Sequence, residues 1–177
     1  MTATTPPIPP TYSVDAILRV TPQTVVWGHI PAGAPPALRI GSGQTVRIDT
    51  VSHGGLVTAE DPVAYFQAAG IPPEQVLPDA VEIYRHKTRA EGDGVHILTG
   101  PVHVEEAHPG DLLEVRILDI AFRVPYGVNS SGPGWGVLPD LLALPATKIM
   151  RLDLRRRVAL FACDVEVPLA PFMGIMA

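Results

Sequence analysis

The residues best equipped for chemistry in this chain are one aspartate and two histidines. Asp49 and His53 stand four apart in "IDTVSHGG", where a strand-like run enters a Gly-Gly turn. His96 opens "HILTGPV" within "GDGVHILTGPVHVEEAHPGD", which gathers three histidines and four acids in an otherwise apolar, proline-rich chain. Two or three His, Asp or Glu ligands with one open position are what a catalytic divalent ion needs. Such an ion polarises a carbonyl and brings the pKa of its bound water down toward about 7. Asp49, His53 and His96 are therefore the expected ligands of a divalent metal, with zinc the expected ion, and His96 and Asp49 the expected catalytic pair. Each residue also has a plainer reading. Asp49 can cap or pair locally, and His53 can be a turn residue bonded to backbone carbonyls. No HExxH or CxxC spacing supports the metal on its own.

The other histidines in that stretch read differently. His103 and Glu105 alternate along a strand and face solvent or a partner, and His108 lies in the turn "AHPGD" at the surface. His29, after Trp27-Gly28, is either a structural histidine or one that faces the site.

The elements that position these residues are mostly short strands. "VDAILRV", "TVVWGHI", "ALRI" and "TVRIDTV" have the β-branched and aromatic character of strands, the last two around a Gly-Ser-Gly-Gln turn. "HILTGPVHVEEA" and "DLLEVRILDIAF" flank the turn signal "HPGD". In the second of these, Leu113, Val115 and Ile117 share the expected inward face. "YGVNSSGPGWGVLPD" reads as a Gly-rich loop, and "KIMRLDL" and "RVALFACDVEVPL" as two more strands about a tight basic turn. Helices are confined to one insertion, at about residues 61–88. There Asp61 caps, Pro62 takes the first helical position, Gly70 ends the first helix, and Pro78 starts a second whose Ala80, Ile83 and Tyr84 share a face. The expectation is a mainly β fold: a β-sandwich of short strands with a small helical insertion. Residues 1–13 form a Pro/Thr-rich arm and 14–177 a single domain.

Composition closes off several classes. Hydrophobic residues at 46% and charged residues at 18% argue against disorder. A net charge of −5 argues against nucleic acid as a partner, and the cluster Arg155–Arg157 reads as a solvated turn. No stretch approaches the eighteen or so apolar residues of a membrane span, and the first residues lack the layout of a signal peptide. Cys163, the one cysteine, excludes an internal disulfide, fits a reducing compartment and reads as a small buried thiol. No GxSxG nucleophile elbow is present.

Taken in order, "GQTVRIDTVSHGG", "HILTGPVHVEEAHPGDLLEVRILDI", "YGVNSSGPGWGVLPD" and "VPLAPFMGIMA" resemble segments of the acetamidase/formamidase family, over roughly residues 14–177. His103, Glu106 and His108 depart from the family pattern, which more often has an aromatic or small residue, a glycine and a glutamate. The resemblance implies a cytoplasmic β-sandwich enzyme that hydrolyses the carbon–nitrogen bond of small linear amides such as formamide or acetamide, giving ammonia and a carboxylate. It implies a small amide as the partner. Thr99 and Gly100 read as pocket wall, and Asn129 and Ser130 in the Gly-rich loop as groups that can hydrogen-bond an amide, so these four are the expected substrate-binding residues. Members of the family run to roughly double this length, with a second acidic and histidine cluster that this chain lacks. Two further expectations follow: a homo-oligomer or a complementary C-terminal chain, and, as the alternative function, a non-catalytic β-domain or subunit that needs that other chain.

Overall fold

The computed structural model describes residues 12–58 and 60–176. The expected arm at 1–13 falls almost wholly outside them. Among the described residues the fold is mainly β, with two short α-helices and one 3-10 turn, Pro73–Gln75. The described residues cluster into two compact units: residues up to His53 with Arg85–Leu112, and Gly54–Tyr84 with the residues from Leu113 onward.

The first unit is built from six three-residue strands in three pairs. These are β1 (Ala16–Leu18), β2 (Val25–Trp27), β3 (Leu38–Ile40), β4 (Val46–Ile48), β5 (Ile97–Thr99) and β6 (Val102–Val104). β1 and β4 run parallel, as do β3 and β6, while β2 and β5 are antiparallel. β3 and β4 flank the Gly-Ser-Gly-Gln turn as the sequence suggests, yet they do not pair with each other. Each takes a partner distant in sequence. The buried side chains are Leu18, Val20, Val25 and Trp27, with Val25 only 1% exposed. Trp27 is buried without loss because its indole N–H donates to the Lys87 carbonyl at 3.1 Å.

The second unit carries the helices and a four-stranded antiparallel sheet. In the helix α1 (Pro62–Ala68), Asp61 Oδ1 accepts from the backbone N–H groups of Val63 and Ala64 at 2.8 and 3.1 Å. Gly70, at φ +75°, turns the chain out of the helix. The helix α2 (Pro78–His86) buries Ala80 and Ile83. The sheet contains β7 (Tyr126–Ser131), β8 (Ala146–Asp153), β9 (Val158–Ala162) and β10 (Val165–Pro168), in the order β10-β9-β8-β7. Phe66, Ile71, Val76 and Tyr126 form the centre of the core, with Val63, Val128 and Ile149 packed against them. The Phe66 and Tyr126 rings lie 4.9 Å apart.

Three sequence expectations are corrected here. "DLLEVRILDIAF" forms no strand, and residues 112–119 are exposed throughout, Val115 at 50% and Ile117 at 47%. A strand exists only if another supplies its hydrogen bonds, and no described segment pairs with this one. "YGVNSS" is strand β7 rather than loop. Cys163 is exposed, because the run "RVALFACDVEVPL" folds into a hairpin whose turn falls at Cys163-Asp164. The Arg155–Arg157 turn is solvated as expected, with Arg156 forking onto the Glu166 carboxylate.

Candidate active site

Two ladder ends in the first unit bring imidazoles together. Past β4, the Asp49 N–H donates to the Leu18 carbonyl at 2.9 Å, which carries the β1–β4 ladder one residue further before the chain turns through His53. Past the β2–β5 pair, the Gly28 N–H donates to the His96 carbonyl at 2.7 Å and fixes the backbone at His96. Gly28 has φ +68°, and a Cβ there would stand 2.0 Å from the Gly94 nitrogen. The two backbones cross at van der Waals distance, so only glycine fits at position 28. The His96 anchor therefore depends on a residue that carries no chemistry of its own. The glycine of "WGH" was its one trace in the sequence.

The rings of His53 and His96 meet edge to face, with centroids 5.5 Å apart and planes at 88°. His53 is half-buried and His96 exposed. Burial is the larger cause that lowers the His53 pKa below the ordinary histidine value, and the neighbouring His96 is the second. Both disfavour the imidazolium, so near neutral pH His53 presents a free nitrogen lone pair that can accept a proton or bind a cation.

Asp49 is held elsewhere. Its Oδ1 lies 3.3 Å from Arg47 Nε, and its side chain is only 14% exposed. Residues 47 and 49 are two apart on an extended run and so project to the same side. Among the described residues, no three His, Cys, Asp or Glu side chains are grouped so as to hold a metal ion. The expected trio of Asp49, His53 and His96 is thus present as an imidazole pair, with Asp49 engaged by a neighbouring guanidinium.

The expected substrate-binding residues do not gather at that pair. Thr99 ends β5, opposite Val25, and the Gly100 N–H donates to the Thr24 carbonyl at 2.9 Å. Alternation along the ladder sends Thr99 to the opposite side from His96. Asn129 and Ser130 belong to the other unit, on β7, where the Ser130 and Thr147 hydroxyls are 3.0 Å apart. Three further histidines have acidic neighbours. His29 Nδ1 is 3.4 Å from Asp93 Oδ1, His103 Nε2 is 3.6 Å from Glu105 Oε2, and His108 Nδ1 is 4.0 Å from Asp111 Oδ2.

Comparison with known proteins gives the class of this chain, whose short strands present a pair of histidines at two ladder ends. Residues 87–177, just over half of the chain, match the model of the Acetamidase/Formamidase family, and the chain belongs to that family. The matched span includes His96 but neither Asp49 nor His53. A 41-residue stretch is 51% identical to an acetamidase of Mycolicibacterium smegmatis, covering 23% of this chain and 10% of that protein. Two crystal structures share the fold. An acetamidase from Bacillus halodurans superposes with a TM-score of 0.57 at 24% identity, over 85% of this chain and 42% of that one. A recombinant predicted acetamidase/formamidase from the thermophile Thermoanaerobacter tengcongensis does so with a TM-score of 0.56 at 19% identity, over 88% of this chain and 43% of that one. The chain thus spans less than half the length of these solved relatives, and the 41-residue stretch a tenth of the curated one.

Proposed function

We propose that this chain contributes the imidazole site of a hydrolase that cleaves the carbon–nitrogen bond of small linear amides, formamide and acetamide being the simplest, to a carboxylate and ammonia. The observation that carries the reading is the His53–His96 pair, in a chain of the Acetamidase/Formamidase family. Amide hydrolysis needs a base to activate water and an acid to protonate the departing nitrogen. His53, kept neutral by burial and by its neighbour, accepts the proton as water attacks the carbonyl. His96, exposed beside it, is placed to return a proton as the carbon–nitrogen bond breaks and ammonia leaves.

Metal assistance belongs to the same proposal in a reduced form. His53 and His96 would supply two nitrogen donors to a zinc-like ion, which favours imidazole. Asp49 does not complete the set, so no step above runs through a metal. A cytoplasmic setting fits the exposed free thiol of Cys163, and no described helix is long and apolar enough to cross a membrane.

Ammonia release from formamide and acetamide, with and without added zinc and after chelation, tests the reading. Turnover that His96→Ala abolishes supports it, and no release under any of these conditions sinks it. A second reading, a subunit that works only against another chain, is favoured by one observation: the apolar segment from Leu112 to Leu118 lies bare.

A further inference from the structure

We propose that Asp93 is a positioning residue for His96. Its carboxylate closes the turn that leads into the site and reaches across the glycine crossing to His29, so that the backbone bearing His96 is tied by side chains as well as by Gly28. The consequence for turnover rests on the hydrolase reading; the tie itself is measurable without it.

The chain that enters the site lacks regular structure. Residues 87–96, between α2 and β5, are neither helix nor strand, and Gly92 and Gly94 give this stretch wide conformational freedom. Bonds other than a ladder must fix it, and Asp93 makes several of them. Its N–H donates to the Ala90 carbonyl at 3.2 Å and its Oδ2 accepts from the Ala90 N–H at 3.0 Å, so the turn is closed from both directions. Its carbonyl accepts from Arg89 Nη1 at 2.8 Å. The second carboxylate oxygen, Oδ1, lies 3.4 Å from His29 Nδ1. The Asp93 side chain is 21% exposed, so this carboxylate is directed inward across the turn rather than into solvent.

Position gives the contact its leverage. His29 directly follows Gly28, and Asp93 directly precedes Gly94, and these two glycines are the ones whose backbones cross. Gly28 also donates the 2.7 Å bond that anchors the His96 carbonyl. The His29–Asp93 contact therefore joins the two chains one residue from the crossing on each side. Ladder ends are where local opening begins, and the Gly28–His96 bond stands just past the end of the β2–β5 pair. A tie there holds closed the part of the ladder that carries the His96 ring. When His29 is protonated the contact is an ion pair, and with the His29 side chain 60% exposed its effect is modest. The turn bonds of Asp93 add to it, and the two contributions separate by mutation.

Amide hydrogen exchange at Gly28 reads the anchor bond, and the His96 imidazole signals in NMR read the ring, both at about pH 6, where a histidine is substantially protonated. Asp93→Ala, which removes the turn bond and the tie, should speed Gly28 exchange about tenfold or more and shift the His96 signals. His29→Ala, which removes the tie alone, should speed it about threefold, the scale of an exposed ion pair. Asp93→Asn keeps an oxygen for the Ala90 N–H and loses the charge, so it should match His29→Ala. His29→Lys keeps a cation and should restore the wild-type rate. A turn residue with no positioning role would respond to Asp93→Ala and be indifferent to His29. Wild-type exchange and His96 signals in both His29→Ala and Asp93→Asn, or a His29→Lys variant no slower in exchange than His29→Ala, overturn the proposal, and these three variants decide it even if Asp93→Ala does not fold. Formamide turnover by the same proteins should fall in kcat in the order of their exchange rates, with KM little changed. Equal turnover among variants that differ in exchange also overturns the proposal, whereas no turnover by the wild type sinks the hydrolase reading and leaves exchange to judge the tie.

Discussion

His53 and His96 lie 43 residues apart in sequence, yet their rings meet edge to face with centroids 5.5 Å apart, the half-buried ring against the exposed one. His96 makes no side-chain hydrogen bond among the described residues, so its removal should cost the fold little, within about 0.5 kcal/mol. If it is the proton donor, His96→Ala should lower amide turnover about a hundredfold or more. Ammonia release and urea denaturation of the same variant check both halves. Equal turnover in the two proteins would place the chemistry away from this pair.

The lowered pKa of His53 makes stability depend on pH. The native state binds a proton at this site less readily than the unfolded chain, whose histidine titrates near the ordinary value of about 6.5. Above that value neither state is protonated and the site makes no demand on stability. Below it the unfolded chain takes up the proton first, so stability falls with pH until the folded site protonates as well. Urea midpoints should therefore drop as the solution is taken from about pH 7 toward pH 5. His53→Gln, which cannot titrate, should flatten that part of the curve. An identical slope in wild type and variant would mean that another group carries the acid sensitivity. Turnover by a His53 base should also persist to a lower pH than an ordinary imidazole allows.

Local signals in the sequence were enough for the helical insertion. Asp61, Pro62 and Gly70 act within one turn of themselves, and the helix begins and ends where they stand. Strand existence was equally visible in "VVW" and "ILT", but strand partnership was not. Val25 pairs with Thr99 and Leu38 with Val102, across separations that no local pattern encodes. The same gap explains Leu112–Leu118, whose apolar alternation is that of a strand although nothing described pairs with it. At the site, the two histidines were recognisable as chemical groups. The fate of Asp49 turned on Arg47 two residues before it, a neighbour that strand alternation alone would have revealed.

Gly28 tests how far the site depends on backbone packing. Any side chain there must accept φ +68° and displace the Gly94 backbone, which a Cβ would approach to 2.0 Å. Gly28→Ala should cost about 2 kcal/mol or more, and it should loosen the 2.7 Å bond from the Gly28 N–H that anchors His96. Denaturation monitored by Trp27 fluorescence reads the first effect, and the His96 imidazole signals in NMR read the second. A variant as stable as wild type would show that the crossing of the two glycines relaxes freely.

Two isoleucines of equal size separate the core from the bare segment. Ile71 is 1% exposed and packs with Phe66, Val76 and Tyr126, whereas Ile117 stands in the unpaired run. Truncation of a buried isoleucine removes transfer free energy and leaves a cavity, so Ile71→Ala should cost about 2–5 kcal/mol. Ile117→Ala should cost less than about 1 kcal/mol, because its side chain has little native packing to lose. Urea melts of both variants resolve the two outcomes. A large loss at Ile117 would show that this segment is packed within the chain after all.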